Sequence, residues 1–61
     1  MDFKNYLKEL KEKGSIVNIT MPGIGITKIK INNIVEDIVE LEDEKGGNVY
    51  FLHYTNIIIV T

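Results

Sequence analysis

The segment that decides the fold is 36–60, which reads EDIVELEDEKGGNVYFLHYTNIIIV. Three of its stretches have strand character, namely 36–43, 49–54 and 57–60, and a polar Glu-Lys-Gly-Gly-Asn run at 44–48 separates the first two. Glycine readily adopts the positive φ that tight hairpin turns require. The pattern therefore predicts a β-hairpin that leads into one further strand.

The two terminal strands, 49–54 and 57–60, carry apolar side chains on both faces. A chain of 61 residues buries only about 60% of the surface that its unfolded form exposes, so it cannot cover both faces of two strands. Apolar strand edges that stay uncovered pair with other chains or aggregate. We therefore predict a homo-oligomer that is joined through these strands. The predicted interface residues are Tyr50, Leu52, Ile57, Ile58, Ile59 and Val60.

Residues 2–13 are predicted to form an amphipathic α-helix. Its apolar residues recur at the i, i+3, i+4, i+7 spacing that places them on one helical face. Asp2 is suited to the N-cap position, and Gly14 stands where a glycine ends many helices. Lysines and glutamates occupy the opposite face, which is typical of a solvent-exposed surface. The four apolar residues are Phe3, Tyr6, Leu7 and Leu10.

The rest of the chain is predicted to form five strands within a single domain that covers 1–61. Pro22-Gly23 ends the first strand as a turn, and Asn32-Asn33 forms a turn or an irregularity before the third strand. The predicted strands are 15–21, 24–31, 34–43, 48–54 and 56–61.

The second predicted strand has a fault in its alternation. Ile24 and Ile26 fall on one face, whereas Ile29 and Ile31 fall on the other. One face can stay apolar only if an extra residue is accommodated, because a shift of one residue moves every side chain to the opposite face. We predict a β-bulge or sharp bend near 27–28, of the kind that lets a small barrel close.

The composition argues against several kinds of site. Cysteine is absent, which excludes disulfide bonds and thiolate zinc sites, and the single histidine disfavours a self-contained zinc site. The acidic residues between 36 and 44 lack the spacing of a known calcium loop. The glycines belong to turns and precede no helix that could present its N-terminus to a phosphate. We expect no metal site, no cofactor and no catalytic residue, and predict that the protein is not an enzyme.

The charge balance is mildly acidic. Seven lysines and nine acidic residues give a formal net charge of −2, and no arginine is present. Arginine is the usual residue for bidentate contacts to phosphate and guanine. Bulk charge therefore does not indicate nucleic-acid binding, which would depend on a local lysine patch. Neither a secretory leader nor a membrane-spanning run is evident, so the predicted location is cytoplasmic and no membrane partner is expected.

The order of one helix and five strands with a bent second strand resembles the Sm-like (Hfq/LSm-like) family. The family's third-strand motif, Val-x-Leu-x-Glu/Asp-Asp, resembles VELED at 39–43, which Ile31, Ile34 and Asp37 precede at the family's spacing. The second family motif, roughly Ile-Arg-Gly-x-Asn-Ile, lies in register with LHYTNI at 52–57. SH3-like barrels share much of this apolar pattern, so Sm-like and SH3-like closure both stay open.

The resemblance implies an all-β small barrel of five strongly bent antiparallel strands with one N-terminal α-helix. It also implies a ring in which the last strand of one subunit pairs with the fourth strand of the next. The chain departs from the family where a uracil-contacting asparagine would fall, because that position is Glu40. His53 and Tyr54 replace the family's Arg-Gly pair. The resemblance therefore supports the fold and the ring more strongly than it supports RNA binding.

Two functions from different classes remain. The first is a homo-oligomeric Sm-like module that binds single-stranded RNA. The second is a non-catalytic protein-interaction or structural SH3-like barrel without nucleic-acid binding, whose contact surface is the helix or the acidic outer strand around Ile38. The residues predicted to contact RNA are Lys28, Lys30, His53, Tyr54 and Asn56.

Overall fold

The computed structural model describes residues 2–60, which form one α-helix and five β-strands. The elements are α1 (Phe3–Lys13), β1 (Ile16–Met21), β2 (Gly25–Val35), β3 (Ile38–Asp43), β4 (Val49–His53), a 3₁₀ turn (Tyr54–Asn56) and β5 (Ile58–Ile59). The strands make a single antiparallel sheet in the order β4-β3-β2-β1-β5, so β4 and β5 are its two edges. A helix followed by five antiparallel strands confirms the predicted class of secondary structure.

The turn between the second and third strands lies later in the chain than predicted. β2 continues through Asn32-Asn33 to Val35, and the reversal occurs at Glu36-Asp37. Glu36 has φ 55, a left-handed conformation that non-glycine residues seldom adopt. This turn contains neither glycine nor proline, which explains why residue type alone did not reveal it.

The last two strands are shorter than predicted. The strand expected over 48–54 ends at His53, because Tyr54–Asn56 turns into a 3₁₀ segment. The strand expected over 56–61 is reduced to Ile58–Ile59, and its predicted final residue lies outside the described residues. β5 pairs with β1, with Ile59 opposite Ile19.

The helix has the capping residues that were predicted. The Asp2 carboxylate accepts a hydrogen bond from the Asn5 backbone N–H at 2.7 Å. Gly14 has φ 64, and its N–H donates to the last carbonyls of the helix. Leu7 and Leu10 are buried, whereas Phe3 and Tyr6 lie half-exposed at the edge of the apolar stripe. The helix packs against β2 through this stripe.

The core lies between the helix and one face of the sheet. Ile19, Ile29 and Leu41 are completely buried at its centre, one from each of the three central strands. Full burial of a Leu or Ile side chain contributes about 1.5–3 kcal/mol of transfer free energy. The buried residues are Leu7, Leu10, Ile19, Met21, Ile29, Ile31, Val39, Leu41 and Ile57.

A β-bulge is present in β2, but not at 27–28 where the alternation suggested it. The register against β3 shifts between Ile31 and Asn33, which confirms the irregularity that was predicted at Asn32-Asn33 as the alternative to a turn. Ile29 and Ile31 point inward before the bulge, and Ile34 packs against the core after it. Ile24 lies in the turn before β2 and Ile26 lies on the outer face of the sheet, 56% and 67% exposed. The prediction was wrong because it required those two isoleucines to share the core face.

The outer face of the sheet combines exposed apolar residues with charged ones. Its cross-strand rows follow from the register, since residues directly opposite one another share a face. In residues 2–60, no helix is long and apolar enough to cross a membrane.

Candidate functional site

The two lysines predicted to contact RNA lie on the outer face of β2. Lys28 is exposed and stands opposite Asn18 of β1. Lys30 is half-buried between Ile16 of β1 and Glu42 of β3. A carboxylate thus lies beside the second lysine and reduces the positive potential that a phosphate would meet.

The other predicted RNA contacts, His53, Tyr54 and Asn56, lie where β4 ends and the 3₁₀ turn begins. The rings of His53 and Tyr54 stack, with centroids 5.1 Å apart and planes inclined by 24°. The Thr55 backbone N–H donates to His53 Nδ1 at 3.3 Å, and the Thr55 hydroxyl lies 2.8 Å from the same nitrogen. Because Nδ1 accepts a hydrogen bond from the backbone, the neutral ring carries its proton on Nε2. Asn56 is exposed beside this pair.

The turn at Asp37 connects this aromatic pair to the helix. Lys4 Nζ donates to Asp37 Oδ1 at 2.8 Å and lies 5.5 Å from the centre of the Tyr54 ring. His53 Nε2 is 3.8 Å from Asp37 Oδ2. The Tyr54 backbone N–H donates to the Asp37 carbonyl at 2.9 Å. Three segments that are distant in sequence therefore meet at one cluster, which we call the Asp37 cluster: Lys4, Asp37, His53, Tyr54 and Thr55.

The hydrogen bond between Lys4 and Asp37 shifts both of their pKa values in the direction that favours the charged pair. It lowers the pKa of Asp37 below 3.8, and it raises the pKa of Lys4 above 10.5. The nearby charge of His53 has a smaller effect in the same direction on Asp37. Both members of the pair are solvent-screened, so the contact orients the cluster more than it stabilises the fold.

Sequence analysis missed Lys4 and Asp37 as members of this cluster. They are 33 positions apart, and although Asp37 stands at the spacing of the Sm-like motif, nothing in that motif pairs it with Lys4. Only the fold, which brings the first turn of α1 over the β2–β3 turn, places them together. No signal in the sequence of either segment indicated this contact.

The structure separates the predicted RNA contacts into two groups. Lys30 shares a cross-strand row with Glu42 and Val49, whereas His53 lies at the opposite end of β4. Four residues of strand span about 13 Å at the usual rise. One subunit therefore does not present the lysines and the aromatic pair as a continuous surface.

The residues predicted to form the oligomer interface differ in their exposure. Ile57 belongs to the subunit's own core, at 5% exposed, so its side chain is not available to a partner. Tyr50, Leu52 and Ile59 are partly buried against that core. Ile58 and Val60 are exposed.

Exposed apolar residues also occur on the outer face of β4, where none had been predicted as interface. Phe51 is 66% exposed and Val49 is 47% exposed. Both edge strands of the sheet therefore carry exposed apolar side chains. We call the set the edge residues: Val49, Phe51, Ile58 and Val60.

A shallow groove of about 420 Å³ opens on the outer face of the sheet. It lies where two adjacent cross-strand rows meet, Asn33–Glu40–Phe51 and Val35–Ile38–His53. Within residues 2–60, no cluster of three or more histidine, cysteine, aspartate or glutamate side chains is placed to hold a metal ion. The residues that line the groove are Asn33, Val35, Glu36, Asp37, Ile38, Glu40 and Phe51.

Comparison of the chain with protein-family models, with curated proteins and with solved structures found no match.

Proposed function

We propose that the protein is a non-catalytic, homo-oligomeric module of Sm-like type. In this proposal β4 of one subunit pairs with β5 of the next, and the sheet curves into a small barrel that is completed between subunits. The observation that carries it is the strand order, which leaves β4 and β5 as the two edges of one sheet. Each edge has backbone groups free for a further ladder and apolar side chains to cover.

The identity of the edges determines the kind of assembly. A contact between β4 and β5 joins two different surfaces, so it is head-to-tail and produces a ring when the rotation between subunits closes. The edge residues support this pairing, since Phe51 and Ile58 are 66% and 62% exposed on opposite edges of the sheet. Side-by-side pairing of these strands would let them cover one another.

The ligand that we propose for this assembly is single-stranded RNA. The stacked rings of His53 and Tyr54 supply an aromatic surface for a base, and Thr55 and Asn56 supply exposed polar groups beside it. Lys4 is paired with Asp37 at 2.8 Å, so its charge is not free to attract a phosphate. Stacking must therefore contribute more to the affinity for RNA than phosphate attraction does. A base stacked on an aromatic side chain contributes about 1–3 kcal/mol.

Light scattering with and without a short uridine- or adenosine-rich RNA tests both parts of the proposal. We expect a ring with several times the 7.0 kDa mass of one subunit, and a gain in mass when RNA is added. A monomer or dimer that ignores RNA would contradict the Sm-like proposal and leave the SH3-like interaction module.

Two sets of variants locate the RNA. Tyr54→Leu removes the stacking ring but keeps an apolar side chain, and it should weaken RNA binding about tenfold. Tyr6→Leu, which changes an aromatic residue elsewhere on the surface, is its control. The double variant Lys28→Glu/Lys30→Glu should weaken binding while the mass stays unchanged. Unaltered RNA affinity in that variant would remove both lysines from the proposed site.

A further inference from the structure

The groove on the outer face has two properties that together select a ligand. Its floor is apolar, with Val35 and Phe51 at 61% and 66% exposed and Ile38 between them at 43%. Its walls carry the carboxylates of Glu36, Asp37 and Glu40. Exposed apolar clusters of this kind on a small domain mark binding surfaces more often than scattered single residues do.

The charge of the groove is only partly compensated. Within residues 2–60 the basic side chains that lie within 4 Å of a carboxylate are Lys4 and His53, and both face Asp37. Glu40 accepts a hydrogen bond from the neutral Asn32 amide at 3.4 Å, which leaves its charge in place. Glu36 lies exposed on the turn. The groove therefore presents at least two uncompensated negative charges beside an apolar floor.

We propose that this groove binds a short basic peptide segment in which an apolar side chain is flanked by lysine or arginine. The apolar side chain would cover Val35, Ile38 and Phe51. The flanking cations would pair with Glu36 and Glu40, and complementary charge of this kind gives orientation and speeds association. This inference does not depend on RNA binding. It shares only Phe51 with the proposed assembly, since Val35, Ile38 and both glutamates lie away from the edge strands.

The β-bulge gives the groove its shape. Asn33 pairs with Glu40, and Val35 pairs with Ile38, so all four share the outer face. If the same residues alternated strictly, with no bulge at Asn32, Asn33 and Val35 would lie on the inward face with Ile31.

The test uses fluorescein-labelled hexapeptides Lys-Lys-X-X-Lys-Lys, with X as Leu, Phe or Trp, and the matched Glu-Glu-X-X-Glu-Glu peptides. Fluorescence anisotropy measures affinity, and ¹⁵N–¹H correlation spectra locate the bound peptide. We expect at least one basic peptide to bind more tightly than its acidic counterpart and to shift the amides of Val35, Glu36 and Ile38. The proposal is overturned if no basic peptide does so, or if the shifted amides lie elsewhere.

Matched variants separate the groove from general surface effects. Val35→Ser should weaken the basic peptide about tenfold, as expected for a central apolar contact. Ile26→Ser is its control, because Ile26 is a similarly exposed residue, at 67%, on the same strand outside the groove. Glu36→Lys should also weaken binding, whereas Glu44→Lys, at the distant hairpin, should not. Equal losses in the variants and their controls would overturn the proposal.

Two further measurements keep the result independent of folding and assembly. Circular dichroism confirms that each variant is folded, and Ile38→Ser, in the same groove on the central strand β3, replaces Val35→Ser if the latter is not. Val35 and Glu36 do not lie on an edge strand, so their variants should retain the parent oligomeric mass. A uridine-rich RNA that displaces the peptide and binds Val35→Ser more weakly than the parent would assign the groove to nucleic acid and overturn the peptide proposal.

Discussion

The three central strands and the two edge strands of the sheet differ in how completely one subunit covers them. Ile19, Ile29 and Leu41 are 0% exposed at the centre. On the edges, Phe51 and Ile58 remain 66% and 62% exposed, although they are as apolar as the buried residues. One subunit therefore accounts for the composition of the centre, whereas the apolar composition of the edges is what the proposed assembly would explain.

The largest expected effect contrasts one residue from each region. Leu41→Ala should lower the free energy of unfolding by about 2–5 kcal/mol, because it leaves a cavity in a packed core. Phe51→Ala should change it by only about 0.5 kcal/mol in the isolated subunit, as is usual for an exposed site. Urea unfolding followed by circular dichroism, at several protein concentrations, measures both. If Phe51→Ala costs as much as Leu41→Ala in dilute protein, the contrast between centre and edge is wrong.

A second prediction concerns assembly and compares two residues in one cross-strand row. Ile58 and Ile26 both lie opposite Thr20, on its two sides, with 62% and 67% exposure. Ile58→Asp should raise the dissociation constant of the oligomer by at least about tenfold, because the interface would bury an unpaired carboxylate.

Ile26→Asp is the matched control, and it should leave the dissociation constant nearly unchanged because β2 is not an edge. Light scattering over a dilution series distinguishes the two variants. An oligomer that survives Ile58→Asp would show that β5 does not form the contact between subunits.

The smallest effect is the pH dependence of the pair between Lys4 and Asp37. The lowered pKa of Asp37 means that its contribution to stability is fully present above 3.8 and is lost as the pH falls through the folded-state value. The raised pKa of Lys4 means that its contribution is present below 10.5 and is lost as the pH rises through the folded-state value. The pair therefore stabilises the protein most between these limits.

Thermal unfolding of Lys4→Met and of the parent protein, measured from acid to alkaline pH, tests this prediction. The difference between their midpoints should be largest near neutral pH and should shrink in acid and at high pH. Lys8→Met, one turn further along the helix, provides a control without this dependence. A difference that stays constant in acid would mean that Asp37 is not the partner on which Lys4 depends.

The features predicted correctly from the sequence were those with local causes. The spacing of Leu7 and Leu10 reflects one helical face, and Gly14 marks the helix end because it adopts φ 64 at no steric cost. The hairpin between β3 and β4 was predicted from its glycines, and Gly47 does adopt a positive φ of 71. Each of these features depends on neighbours within a few residues.

The features that were missed depend on tertiary contacts. Glu36 takes a left-handed conformation that its residue type disfavours, so the turn was not predicted there. Of the two alternatives predicted for Asn32-Asn33, the irregularity is present and the turn is not. The bulge was predicted at the wrong place. The alternation of apolar residues along β2 shows that the phase of the inward-facing positions changes, but it does not show which isoleucines face the core. The Asp37 cluster joins segments 33 residues apart, and no local pattern predicts such a meeting.

The bulge at Asn32 makes this part of the chain tolerant of the loss of one residue as well as of substitution. Replacing Asn32 keeps the register on both sides of the bulge, and so preserves which side chains face the core. Losing Asn32 would remove the bulge but leave Asn33 opposite Glu40 and Ile34 opposite Val39, so Ile34 would still face inward. Related sequences that fold in this way should therefore vary in residue type at this position, and some should lack the extra residue.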